Sequence, residues 1–263
     1  MLKNAYRPLL ASILGIITSF NLAQAENYYQ EQRKAYLEEH PLFAELFQAE
    51  ESERPGFVTA HKKKAETGDA KSALLYALAL QSGIGIERDL EVADQWLKMA
   101  AEEGDVRAIY AYATSLMKKE AQTNRDLGAL GWMRKAAEKD YAKAQAAVGA
   151  RLVMLKEPAS AEEGLSLLET AFKNGQIQAA IMLARCYSFG FGVERDWAKT
   201  LEWYRKAAEL GHPSAQFILA QEYMNGHGLP KNLEIARSWA QKAADQGLKD
   251  ATQLLEEIKA AGE

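Results

Sequence analysis

Glycine or aspartate recurs at Gly68, Gly104, Asp140, Gly175, Gly211 and Gly247, in steps of 36, 36, 35, 36 and 36 residues. A period of this size constrains the fold more than any other feature. It marks one supersecondary unit copied along the chain, with each copy burying its apolar face against the next. Other positions share the grid. Small pairs precede the markers at Ala100-Ala101, Ala136-Ala137, Ala207-Ala208 and Ala243-Ala244, with Ala171-Phe172 in the third unit. Four residues earlier stand Trp96, Trp132, Trp203 and Trp239, with Leu168 three residues earlier in the third unit.

Each unit contains two apolar-periodic runs of helical length. Gly83-Ile-Gly85, Gly190-Phe-Gly192 and Gly226-His-Gly228 separate the runs in three units. The first glycine of each is predicted to end a first helix in the left-handed conformation, which is costly for a residue with Cβ. Asp89, Asp196 and Asn232 then stand where a second helix begins and can accept from its free amides. Ser160 to Glu163 reads as a capping box in the third unit. The second helix carries the tryptophan and the alanine pair on one face, so a neighbour approaches closely beside a large ring. Truncating such a tryptophan should cost roughly 3–5 kcal/mol. Pro213 fits the first position of the next helix, where its missing N–H is harmless.

These residues carry a family resemblance. The segments GFGVERDWAKTLEWYRKAAELG, GHGLPKNLEIARSWAQKAADQG and GIGIERDLEVADQWLKMAAEEG resemble the Sel-one-like repeat (SLR) family, relatives of the tetratricopeptide repeats. The resemblance covers Asp69 to Gly247 in five units. The second and third units depart from it, with Lys119-Glu120-Ala121 and Leu155-Lys156-Glu157 in place of the first glycine region. The resemblance implies an all-α, right-handed α/α superhelical solenoid of helix-turn-helix repeats, used as a scaffold for protein–protein contacts. It implies no catalytic residue.

The ends of the chain differ from the middle. Residues 1–25 read as a secretory signal peptide. Lys3 and Arg7 form a basic start, Leu9 to Leu22 an apolar run short for a membrane span, and Ala23-Gln24-Ala25 a small-x-small cleavage site. Cleavage after Ala25 removes two cations and no acid, leaving the formal charge, −4 for the whole chain, two units more negative. No Asn-x-Ser/Thr sequon occurs, and a bacterial signal without an anchor implies the periplasm. Residues 26–68 read as divergent capping helices: an amphipathic run from Tyr28 to Glu39, a helix from His40-Pro41 to about Glu51 broken at Pro55-Gly56, then Phe57 to Thr67. Residues 248–263 read as a C-terminal capping helix, since terminal repeats need a polar outer face.

Charged residues are 26% of the chain and mixed in sign, which does not suggest nucleic acid. The single cysteine, Cys186, cannot form an internal disulfide. Ser115-Leu-Met-Lys118 matches the S-x-x-K pattern of penicillin-recognising enzymes, but S-D-N and K-T-G companions are absent. His40, His61, His212 and His227 lack metal-ligand spacing. No catalytic, cofactor or metal site is expected.

A surface is the better candidate. Aligned by period, the first helices repeat small or apolar residues at Ser72/Ala108/Ala144/Ala179/Ala215, at Ala77/Ala113/Gly149/Ala184/Ala220 and at Leu80/Leu116/Leu152/Tyr187/Tyr223. These rows read as the packing seam. Two rows vary instead: Leu74/Tyr110/Ala146/Ile181/Phe217 and Leu78/Thr114/Ala150/Arg185/Gln221. They are four apart and so share one helix face. Tyr110, Ile181, Arg185, Phe217 and Gln221 are therefore the candidate partner-binding residues, with core packing as the alternative for Tyr110, Ile181 and Phe217. The polar stretch Lys118 to Asp126 reads as a slack turn or a recognition loop. The partner is expected to be another protein, an envelope regulator or assembly component. An immunity-type inhibitor capping a toxic periplasmic enzyme is the alternative, and a cell-wall or β-lactam enzyme a third.

Overall fold

The computed structural model describes residues 41–155 and 157–262. The expected signal peptide, the run from Tyr28 to Glu39, and His40 lie outside the described residues. Within them the chain forms thirteen helices and no strand: α1 (Pro41–Gln48), α2 (Arg54–Glu66), α3 (Ala70–Ser82), α4 (Leu90–Glu102), α5 (Val106–Thr123), α6 (Ala129–Glu138), α7 (Ala142–Val153), α8 (Pro158–Lys173), α9 (Ile177–Phe189), α10 (Trp197–Glu209), α11 (Pro213–Asn225), α12 (Leu233–Asp245) and α13 (Lys249–Ala261). This is the all-α helix-turn-helix solenoid class.

The chain divides into two compact units, one up to Ala129 and one from Leu130 onward. In the first, α2 packs on α3, α3 on α4 and α4 on α5, while α1 rests on α2 and α3. In the second, each helix from α7 to α13 packs on the next. The first helices of successive pairs also meet, α7 with α9 and α11 with α13.

The turn chemistry explains where helices stop. Gly83, Gly190 and Gly226 are left-handed C-caps, at φ 73°, 78° and 76°. Asp89 accepts from the amides of Glu91 and Val92, Asp196 from Lys199, and Asn232 from Glu234 and Ile235. The second glycine of each pair has a different task. A Cβ on Gly85 would lie 2.9 Å from the Arg54 backbone, on Gly192 2.6 Å from the Ala161 Cβ, and on Gly228 2.5 Å from the Trp197 indole nitrogen. Each turn is thus pressed onto an early residue of the second helix of the preceding pair, an approach that a side chain would block.

The third pair, α7 and α8, lacks that turn and crosses in its own way. A Cβ on Gly149 would meet the Gly164 carbonyl at 2.7 Å, and one on Gly164 the Gly149 carbonyl at 2.8 Å. Here the two backbones touch. The helix α8 starts earlier than the capping box implies, because Pro158 occupies its first turn and Glu157 is the N-cap. Ser160 instead donates to Glu157, and Glu163 pairs with Arg134.

Two further expectations change. Lys118 to Asp126 is not one loop: α5 continues through Thr123 and ends on Asn124 in the left-handed conformation. Glu120 then accepts from the amides of Leu127 and Ala129 at 2.8 and 2.9 Å, which ties the connection down. Pro55-Gly56 does not break a helix but lies in the first turn of α2. The four grid tryptophans are half-buried rather than fully buried. Lys135, Lys206 and Lys242 stack over Trp132, Trp203 and Trp239 at 4.0, 4.0 and 4.2 Å, one turn along the same helix. Truncation therefore falls below the full-burial cost.

Candidate functional site: the variable flank of the first helices

The seam rows are buried throughout α3, α5, α7, α9 and α11 at the positions of Ser72 and Ala77, with Ala108, Ala113, Ala144, Ala184, Ala215 and Ala220 all at 0% exposure. Alanine and glycine are needed there because neighbouring helices lie too close for anything larger. The variable rows behave otherwise. In α3, on which α1 also packs, Leu74 and Leu78 are buried. In α5, α7, α9 and α11 every member of both rows is at least partly open to solvent.

The five candidate residues take different positions. Tyr110 is half-buried on α5 in the first unit, and its carbonyl accepts from Thr114. The other four belong to the second unit. Ile181 is half-buried against the cluster of Ala180, Ala184, Tyr204 and Leu219. Phe217 is half-buried against Ala220, Ala236, Ala240 and Ile258. Gln221 is half-buried, and Arg185 is exposed. Ile181 and Phe217 therefore have one side in the core and one side open.

The structure brings Ile181 and Arg185 together with the equivalent residues of the preceding pair. A pocket of about 250 Å³ lies between α7 and α9, walled by Ala146, Ala147, Ala150, Ile181 and Met182, with Leu168 and Ala179 among its deepest-set members. Gln176, Gln178 and Arg185 supply its polar groups. The hollow exists because both variable positions of α7 are alanine. A row read as merely variable thus becomes concave where it turns small, which no single-helix pattern reveals.

Arg185 stands next to two groups that burial keeps neutral. Burial pushes the Cys186 thiol up to about 11, so it is an inert packing residue. Burial also raises Tyr204 above the ordinary phenol range, and the Arg185 charge only partly opposes this. At the other polar edge, His212 Nε2 donates to Gln178 Oε1 at 3.0 Å. Burial lowers the His212 pKa, which keeps the ring neutral.

Elsewhere, polar constellations hold helices together. Ser115 donates to Asp94, and Asp94 pairs with Lys119, not with Lys118 of the S-x-x-K pattern. The trio links α4 to α5. Similarly, Ser72 donates to Asp69 and lies 2.9 Å from His61 Nδ1, joining α2 to α3. Ser72 is itself buried, and burial lowers the His61 pKa. Among the described residues no group of three or more His, Cys, Asp or Glu is placed to hold a metal ion, and no helix is long and apolar enough to cross a membrane.

Comparison with known proteins agrees with this architecture. The family model of the Sel1 repeat matches residues 70–105, 108–141, 177–212 and 213–248. A Sel1 repeat protein from Oxalobacter formigenes superposes with a TM-score of 0.67 and 26% identity, over 85% of this chain and 89% of that one. A protective antigen of uropathogenic Escherichia coli strains, displaying an SLR fold, superposes with a TM-score of 0.66 and 31% identity, over 80% of this chain and 46% of that one. No curated protein matches the sequence.

Proposed function

This chain belongs to the Sel1 repeat family, and from that membership we propose that it is a non-enzymatic scaffold of the periplasm that binds another protein along the variable flank of its first helices. The bound protein belongs to the cell envelope, and capture regulates or assembles it. In this reading five repeats, 69–247, lie between N-terminal and C-terminal capping helices. The observation that carries the binding reading is the division between rows. The Ser72 and Ala77 rows that stack the repeats are small and buried, whereas the adjoining face keeps Ile181, Arg185, Phe217 and Gln221 at least partly open, with an apolar pocket at Ile181 and Arg185. Half-buried aromatic and arginine side chains are the usual anchors of protein interfaces.

The test combines location with capture. Fractionation and N-terminal sequencing should find a periplasmic chain that starts at Glu26; a cytoplasmic chain that keeps Met1 contradicts the location. Crosslinked capture from the periplasm should recover one dominant partner with the parent chain. It should recover none with Tyr110, Arg185 and Phe217 all replaced by alanine, while helicity persists. Collapse of helicity in that variant would assign these residues to the core instead. A delivered toxic enzyme as the captured partner would make the chain an inhibitor rather than a regulator.

A further inference from the structure

What the occupant carries can be read from the pocket between α7 and α9, taking the binding flank just proposed as given. The lining contains one charged side chain, the Arg185 guanidinium, and no carboxylate. Arg185 is exposed and makes no ion pair among the described residues. Its buried neighbours Cys186 and Tyr204 are held neutral, so neither compensates the charge. The hollow beneath is apolar, and its volume of about 250 Å³ lies below the roughly 300–1,000 Å³ of small-molecule sites. It has room for one side chain.

We propose that this pocket reads an internal acidic-aliphatic segment of the partner protein. One aliphatic side chain enters between Ala146, Ala150 and Ile181, and a neighbouring Asp or Glu carboxylate pairs with Arg185. A guanidinium at the edge of an apolar surface, where water is partly excluded, favours a carboxylate with two parallel hydrogen bonds. Gln176 and Gln178 are placed to bond the backbone of the same segment. The row also recurs at Phe217 and Gln221 on α11, so a segment has further residues to engage beyond the pocket.

A displayed library of random peptides of about a dozen residues, selected on the immobilised full chain, tests this directly. The expected result is enrichment of Leu, Ile or Val beside Asp or Glu by about tenfold over the same aliphatic residue beside Lys. Selection on Arg185→Glu should reverse the charge preference and keep the aliphatic one. Ala150→Phe, or Ala146→Leu as a second way of filling the hollow, should lose the selected peptides while far-UV helicity is unchanged. Aliphatic peptides without acid enrichment, recovered equally on Arg185→Glu but lost on Ala150→Phe, overturn the acidic reading and leave the binding flank standing. Peptides that bind Ala150→Phe and Ala146→Leu as well as the parent, or a selection that yields no binder, overturn both.

Discussion

Gly149 and Gly131 are both helical glycines, yet they should respond to alanine with opposite signs. At Gly149 the new Cβ would meet the Gly164 carbonyl at 2.7 Å, so α7 and α8 must separate. Gly149→Ala should lower stability by about 1–3 kcal/mol, the usual cost of overpacking. At Gly131, near the start of α6, nothing lies within 4 Å of an added Cβ. Gly131→Ala should raise stability by about 0.4–1 kcal/mol, because only the unfolded chain loses freedom. Urea denaturation of the two variants beside the parent reads both signs. Glu222 provides a test by pH. Burial raises its carboxyl above 4.5, the His227 charge only partly opposes this, and Oε2 lies buried without a hydrogen-bond partner among the described residues. The folded chain then holds this proton more tightly than the unfolded chain. The Glu222 contribution is best at pH below 4.5 and is lost as pH rises through the elevated folded value. Glu222→Gln should therefore melt higher than the parent at pH 7 and no higher at pH 4; equal melting at both would mean the carboxyl is not confined.

Between helices, the bonds that hold neighbouring pairs together differ from those visible along one helix. Gln216, buried on α11, donates to the Ala208 carbonyl at the end of α10 and accepts from Gln246 just past α12. Gln145 does the same on α7, between the Ala137 carbonyl and Asn174. One side chain thus joins three consecutive helices in each case. Gln216→Met removes both of these bonds, leaving the Ala208 carbonyl with the Gly211 amide and Gln246 with the Lys242 carbonyl, and should cost about 1–3 kcal/mol by urea denaturation. Glu120→Ala should act more locally, exposing the amides of Leu127 and Ala129 to faster hydrogen exchange while α4 and α7 keep their protection. The helices themselves, their left-handed glycine stops and their Asp and Asn caps were legible in the sequence, because each depends on neighbours along the chain. The role of Gly85, Gly192 and Gly228, the glutamine bridges and the Gly149–Gly164 crossing were not. Each depends on a residue in another helix, and one sequence does not say which helix comes near. The third pair was misread at its start for a related reason, since Pro158 outweighs the Ser160 cap signal.

In the proposed binding mode, stacking and recognition use different rows of the same helices. The seam rows were legible as repetition, and those of Ser72 and Ala77 are buried throughout, whereas the Leu80 row is buried only as far as Leu152 and half-open at Tyr187 and Tyr223; the variable rows were legible only as variation. Whether variation meant core or surface required the structure, which makes Ile181 and Phe217 both at once, with an inner side packed and an outer side open. The pocket escaped sequence reasoning because it is made by the smallness of Ala146 and Ala150 beside Arg185. Photo-crosslinking in living cells, with a benzophenone amino acid placed singly at Arg185, Phe217, Arg205 and Arg237, tests this division of labour. The last two are exposed residues of the second helices α10 and α12. One partner band from positions 185 and 217, and none from 205 and 237, is the predicted result. Bands from 205 and 237 alone would contradict it and move the binding face to the second helices.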